Sequence, residues 1–313
     1  MSASEPPGGD GRDQQRKVGV RVPASTANLG PGFDAFGAAL SRHLDAWVLP
    51  AEPGRPKVTS EGEGAGELPD DDENLLWRAF LALCTRAGVP VPDVRVRVLN
   101  RIPLERGLGS SSAAIVAGLG LARAACALPV GDHDLVRLAT TIEGHPDNVA
   151  PAVLGGLVCA ARTDEGDLVV RRGQPHPRLR PVALVPSTRQ RTTAARAVLP
   201  DAVDRDAVVD QAARAGHLLA ALLGAWPAAA ALAGDRLHEP SRLDTMTATG
   251  SVIDDLRSAG IHAWLSGAGP SVCAAVAARD EVALRRCAAV GGRHDFEVWA
   301  LRWDLAGLVA LPS

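Results

Sequence analysis

Residues 106–114 read Arg106-Gly107-Leu108-Gly109-Ser110-Ser111-Ser112-Ala113-Ala114, and this run decides the fold because it falls between two kinds of structure. Upstream, Val94, Val96 and Val98 alternate with Asp93, Arg95 and Arg97, the pattern of a half-buried strand. Downstream, Ala113-Ala114-Ile115-Val116-Ala117-Gly118-Leu119 opens an apolar run to Ala127 that predicts a buried helix. Glycines and serines therefore stand where a loop enters a helix. The first turn of a helix has four backbone N–H groups without an internal partner and carries the positive end of the macrodipole. Glycine lets the backbone approach an anion and serine hydroxyls add donors, so the run reads as a phosphate cradle. It reads equally as a loop in which Ser110 is an ordinary N-cap.

The run fits none of the common nucleotide or nucleophile motifs. G-x-x-x-x-G-K-[ST] requires a lysine that is missing, the third glycine of G-x-G-x-x-G would be Ser112, and G-x-S-x-G is absent. The only lysines are Lys17 and Lys57, neither placed for a Walker loop or a kinase strand. A triphosphate would therefore be held by backbone amides, hydroxyls, a metal ion and arginines.

Length and composition allow two domains. The chain has 313 residues, 46% hydrophobic and 22% charged, so it can bury a core and present a polar surface. A net charge of -3 and a pI of about 6.2, without a basic block, exclude the usual nucleic-acid footprint. The cysteines (Cys84, Cys126, Cys159, Cys273, Cys287) are scattered and form no C-x-x-C, which predicts free thiols in a reducing cytoplasm. No H-x-x-x-H pair suggests structural zinc. Residues 1–17 read as a disordered leader and not a signal peptide. Leu218 to Gly234 is uncharged, but Trp226-Pro227 interrupts it, so it reads as two helices meeting at a turn and not as a membrane span.

Along the chain, Val18 to Val22 predicts a strand ending at Pro23, Leu44 to Leu49 another, and Asn74 to Ala87 a helix. A helix over Leu135 to Ile142 and a hairpin of Gly156 to Ala161 with Leu168 to Arg171 complete a first domain, residues 18–172. A composition break at Gly173-Gln174-Pro175-His176-Pro177 opens the second, residues 173–313. There, strands over Val182 to Val185, Ile261 to Leu265 and Val272 to Val276, and a last one near Val298 to Leu301, alternate with helices over Thr192 to Val198, Ala207 to Leu223, Val252 to Ser258 and a stretch through Cys287. The rhythm is not the strict βαβ of a doubly wound sheet, which leaves an α+β protein of two domains.

Three glycine loops then fall in order: Pro23-Ala24-Ser25-Thr26-Ala27-Asn28-Leu29-Gly30-Pro31-Gly32-Phe33-Asp34, then Pro103 to Ala114, then Ser266-Gly267-Ala268-Gly269-Pro270-Ser271. In this order they resemble the three motifs of the GHMP small-molecule kinases. His145-Pro146-Asp147-Asn148-Val149-Ala150-Pro151 with Gly155-Gly156 is similar to the homoserine kinase branch of that superfamily. The resemblance implies a ribosomal-S5-like domain beside a ferredoxin-like one, ATP as co-substrate with Mg2+, and L-homoserine as acceptor. It further implies a place in threonine biosynthesis, a cytoplasmic location and an assembly compatible with a homodimer.

The same resemblance distributes roles. Pro103, Leu104, Glu105, Arg106, Gly107, Leu108, Gly109, Ser110, Ser111, Ser112 and Ala113 would surround the phosphates. Asn74 would lie near the adenine, or serve only as a helix cap. Glu143 with Ser110, or Ser111 as second choice, would hold the metal. Some homoserine kinases carry an insertion between this glutamate and His145; here only Gly144 separates them. Asp34, with Asn28 nearby, would meet the substrate ammonium, and Thr192, Arg196 and Arg242 its carboxylate, with His145 and Gly267 lining the pocket. Asn148 matches the family position three residues after the histidine. An amide has no useful basicity, so it orients the reacting groups, and Asp147 is the alternative base. A kinase for another alcohol such as mevalonate is disfavoured by Asp34, Arg196 and Arg242 together. A catalytically silent binding protein is disfavoured by Glu143, Asn148 and the serine loop.

Overall fold

In the computed structural model, residues 18–312 are described; the expected leader, residues 1–17, lies outside them. Strand β1 (Gly19–Ala27) pairs antiparallel with the long β2 (Phe36–Pro50). The opposite edge of β2 is shared: β4 (Val94–Asn100) takes its second half, and β5 (Leu157–Arg162) its first three residues. Outside β4 lies the parallel β3 (Val58–Gly62), and outside β5 the antiparallel β6 (Leu168–Gly173). Against this sheet pack α1 (Leu75–Ala87), α2 (Ser110–Ala125), α3 (Asp132–Glu143) and α4 (Pro146–Leu154). Ile115, Val116, Ala117, Leu119 and Leu121 of α2 are fully buried, which explains why its sequence is apolar all round.

The second sheet follows from β7 (Leu179–Pro186), β8 (His262–Leu265), β9 (Val272–Ala277) and β10 (Phe296–Ala300), in spatial order β10-β7-β9-β8 with every pair antiparallel. The helices α5 (Thr192–Ala197), α6 (Arg205–Leu222), α7 (Glu239–Leu243) and α8 (Thr247–Ser258) lie between β7 and β8, and α9 (Glu281–His294) between β9 and β10. With α8 and α9 packed on it, this is the split βαβ arrangement of ferredoxin-like domains, as the resemblance implied.

Several boundaries differ from the sequence expectation. Strand β1 continues past Pro23 to Ala27, because the register with β2 shifts between Pro23 and Ala24, and a bulge absorbs the missing proline N–H. β2 starts eight residues earlier than its apolar core suggested. Beyond α6 there is no second helix: Gly224 takes φ 81° and stops the chain, and only a single 3-10 turn forms at Ala230–Leu232. A stretch of about eight alanine-rich residues after a proline is too short to nucleate a helix alone. β10 is not the last strand; β11 (Val309–Leu311) returns to pair with Gly19–Arg21 of β1. The five cysteines are all free.

Candidate active site

The strand β4 and helix α2 deliver the glycine-serine run to the centre of the molecule. Gly109, at φ 70°, is the N-cap of α2, without a side-chain cap; Ser110 is the first helical residue and not the cap. The first intrahelical bond is from Ala113 N–H to the Gly109 carbonyl, so the N–H groups of Ser110, Ser111 and Ser112 precede the ladder and carry the positive helix end. The glycines are required by neighbours as much as by any ligand. A Cβ on Gly107 would stand 2.1 Å from the Ser266 carbonyl oxygen, and one on Gly109 2.1 Å from Ser25 Oγ.

Those close approaches stitch the three loops together. The Ser266 hydroxyl donates to the Gly107 carbonyl at 2.7 Å and shares a hydrogen bond of 2.9 Å with the Thr26 hydroxyl, whose oxygen also accepts from Trp264 Nε1. Gly267 N–H bonds the Ala27 carbonyl, and Ser25 N–H the Leu108 carbonyl. β1, the phosphate-loop candidate and the third loop thus form one block linking the two sheets.

Two cavities open on this block and share Glu105, Ser110 and Ser111. One, of about 390 Å³, has apolar walls from Leu44, Leu68, Pro69, Leu75, Leu76, Val98, Leu104 and Ala114. Asn74 lines it, but its amide is engaged: Oδ1 accepts from Leu76 and Trp77 N–H, and Nδ2 donates to Pro69 O at 2.6 Å. Asn74 thus caps α1 and also lines the apolar cavity. The other cavity, of about 280 Å³, is polar and lined by Asn28, Asp34, Glu143, His145, Asp147, Asn148, Thr192, Arg196, Arg242 and Gly267.

Within the polar cavity, Arg196 holds Asp34 with a two-pronged pair at 2.8 and 3.0 Å. Asn28 receives the Asp34 N–H and donates to the Gly267 carbonyl. Arg242 is buried; it donates to the Ala195 and Gly267 carbonyls, and its guanidinium carbon lies 5.3 Å from the Phe33 ring centroid. Burial, then repulsion from Arg196, pulls it below the ordinary arginine value. The His145 ring pairs with Asp147 at 2.5 Å. Burial opposes charge on that ring, yet Asp147, helped by Glu143, outweighs it and raises the imidazole above its usual value.

Glu143, the last residue of α3, accepts from Ser111 Oγ at 2.6 Å and Ser112 Oγ at 2.8 Å. Ser110, the first choice beside Glu143 for a metal, has its Oγ 3.4 Å from the Ile102 carbonyl, whereas Ser111, the second choice, is bonded to Glu143 directly. The helical rotation of 100° per residue brings the second and third serines to Glu143 and leaves the first at the mouth.

Residues 74–156 match the family described as GHMP kinases N terminal domain. A homoserine kinase of Synechococcus sp. is 41% identical over 262 residues, covering 82% of this chain and 85% of the relative. The chain belongs to the homoserine kinase family. A second member, from Moorella thermoacetica, is 42% identical over 82% of this chain and 86% of its own. The crystal structure of homoserine kinase from Cytophaga hutchinsonii superimposes with a TM-score of 0.84 at 24% identity, covering 96% and 99% of the two chains.

In this member of the homoserine kinase family, the residues expected around an acceptor all reach one cavity, whereas those expected around the phosphates divide. Gly107, Gly109, Ser110, Ser111 and Glu105 line the polar cavity, and Leu104 the apolar one. Leu108, Ser112 and Ala113 are buried behind them, and Pro103 lines neither. Arg106 lines the polar cavity as well, with its guanidinium bonded to the carbonyls of Leu104, Pro186 and Ser187. Sequence reasoning missed Ser25, whose hydroxyl reaches Asn148, and Gln190, Arg191 and Thr193, which close one wall. Ser25 stands inside the first motif without a role of its own there, and Gln190, Arg191 and Thr193 lie outside every motif.

Proposed function

We propose that this protein transfers the γ-phosphoryl group of ATP to the side-chain hydroxyl of L-homoserine, giving O-phospho-L-homoserine and ADP. The observation that carries the reading is the pairing of an apolar cavity with a polar one, meeting at the exposed helix start of Ser110 and Ser111. The apolar cavity suits a nucleobase, the helix start a phosphate chain, and the polar cavity a zwitterion. Residues 18–172 supply the nucleotide half in this reading. Curated relatives named homoserine kinase at about 41% identity support the acceptor assignment.

A divalent cation fits the donors present. Among the described residues no group of three or more His, Cys, Asp or Glu forms a protein cage. One carboxylate, Glu143, with the Ser111 hydroxyl is the hard-oxygen set that Mg2+ accepts when phosphate oxygens complete its shell. Bound there, it would neutralise charge on the phosphate chain. Asp34 would grip the ammonium, and Arg196 and Arg242 the carboxylate, fixing the acceptor hydroxyl toward the mouth of α2. Asn148 would orient the reacting oxygens without removing a proton, and the hydroxyl proton would leave late, to a phosphate oxygen.

Coupled ADP release with homoserine, serine, threonine and mevalonate tests the reading. Homoserine should give the highest kcat/KM; an equal or better rate with mevalonate would overturn it. We further propose, on the strength of the same relationship, a place in threonine biosynthesis, a cytoplasmic location and a homodimer-compatible fold. Among the described residues no helix is long and apolar enough to cross a membrane.

A further inference from the structure

We propose that Ser25 is a positioning residue for phosphoryl transfer, fixing which end of the Asn148 amide faces the reacting groups. The proposal rests on the function assigned above. Ser25 is fully buried in β1. Its N–H is bonded to the Leu108 carbonyl at 3.2 Å, so strand and phosphate loop hold its backbone. Its hydroxyl donates to Asn148 Oδ1 at 2.8 Å.

An asparagine side chain has two ends of opposite character: Oδ1 accepts and Nδ2 donates. With Oδ1 held by the serine hydroxyl, the amino end is left for the cavity that Asn148 lines. The surroundings agree. A Cβ placed on Gly109 would lie 3.1 Å from Asn148 Oδ1, and one on Gly267 3.9 Å from Asn148 Nδ2. The oxygen thus backs onto the phosphate loop, and the nitrogen is directed to the third loop, across the space an acceptor fills. The inverted amide would aim a carbonyl dipole at incoming phosphoryl oxygens and repel them. Thr26, the next residue, cannot substitute, because its hydroxyl is already committed to Trp264 and Ser266.

The test is a double-mutant cycle of Ser25→Ala and Asn148→Ala, with kcat, both KM values and Tm measured for each protein. Ser25→Ala should lower kcat by roughly tenfold or more, the scale of a misdirected transition-state donor. Both KM values should stay within about twofold, and the decrease should vanish in the Asn148→Ala background. Additive losses, or an unchanged kcat in Ser25→Ala, would overturn the proposal. Ser25→Cys, close in size but a poor donor, should behave like Ser25→Ala, and replaces it in the cycle if the alanine variant does not fold. A wild-type protein inactive on homoserine would instead defeat the functional reading, independently of the cycle.

Discussion

Removing the Arg196 guanidinium should weaken acceptor binding by an amount that the geometry of its pair with Asp34 sets. In the polar cavity Arg196 and Asp34 neutralise each other, and their side chains are 39% and 35% exposed. A half-exposed pair of this kind contributes about 0.2–1 kcal/mol, so parting it is inexpensive. A zwitterion entering between them replaces one ion pair by two. The charge-assisted bond from its carboxylate to the arginine is worth about 1.5–3 kcal/mol. The difference, about 1–2 kcal/mol, corresponds to a roughly 5- to 30-fold rise in homoserine KM for Arg196→Ala, with kcat changed far less. The assay is coupled ADP release at saturating ATP, with homoserine varied, repeated with homoserine carboxamide. The carboxamide lacks the anionic end, so its KM should be nearly the same for wild type and variant. An Arg196→Ala KM within twofold of wild type for homoserine, or an equal loss for the carboxamide, would refute the zwitterion argument. Asp34→Asn supplies the converse, with the loss confined to acceptors that carry an ammonium.

Glu143→Gln should cut kcat at least a hundredfold while leaving Tm within about 2 °C, because the hydrogen bonds its side chain accepts among the described residues come from Ser111 and Ser112; unchanged activity across an Mg2+ titration would remove it as a metal ligand. Gly109→Ala should lower Tm and abolish measurable ATP binding, since the new Cβ would meet Ser25 Oγ at 2.1 Å in a left-handed backbone; calorimetric titration with ATP checks it. Burial first, and Arg257 second, push His262 down to about 4 from 6.5. The unfolded chain therefore binds the proton more readily, and the stability associated with the neutral ring, complete above about pH 6.5, is lost as pH falls toward 4, to about 3 kcal/mol. Urea midpoints between pH 7 and 5 should fall in the wild type and fall less in His262→Leu; parallel slopes would exclude this source.

The regular elements were legible where one physical rule dominates. Alternating valines mark β4, and the Asn74 cap and helical spacing mark α1. The run after Ser112 could only be a helix buried on all sides. Other elements hid behind mixed signals. α4 opens on Pro146, a favoured first position, but Pro151 inside it masks the pattern. β3 has a single fully apolar anchor, Val58, among polar neighbours, and β11 is a three-residue edge strand. At the site, the loop sequences announced which residues gather. They did not announce which serine meets Glu143, since that depends on where α2 begins, and Gly109 sets the start. Ser25 was invisible for a related reason: its partner Asn148 stands 123 positions away, and only the close approach at Gly109 joins them.

The stitching of Thr26, Gly107 and Ser266 has an implication for protein engineering. Because one hydroxyl bridges elements of both sheets, the nucleotide seat and the acceptor seat cannot be exchanged between relatives as separate cassettes. Retargeting toward another alcohol would have to leave that knot intact and redraw only the perimeter, at the turn carrying Asp34 and the short helix carrying Thr192 and Arg196.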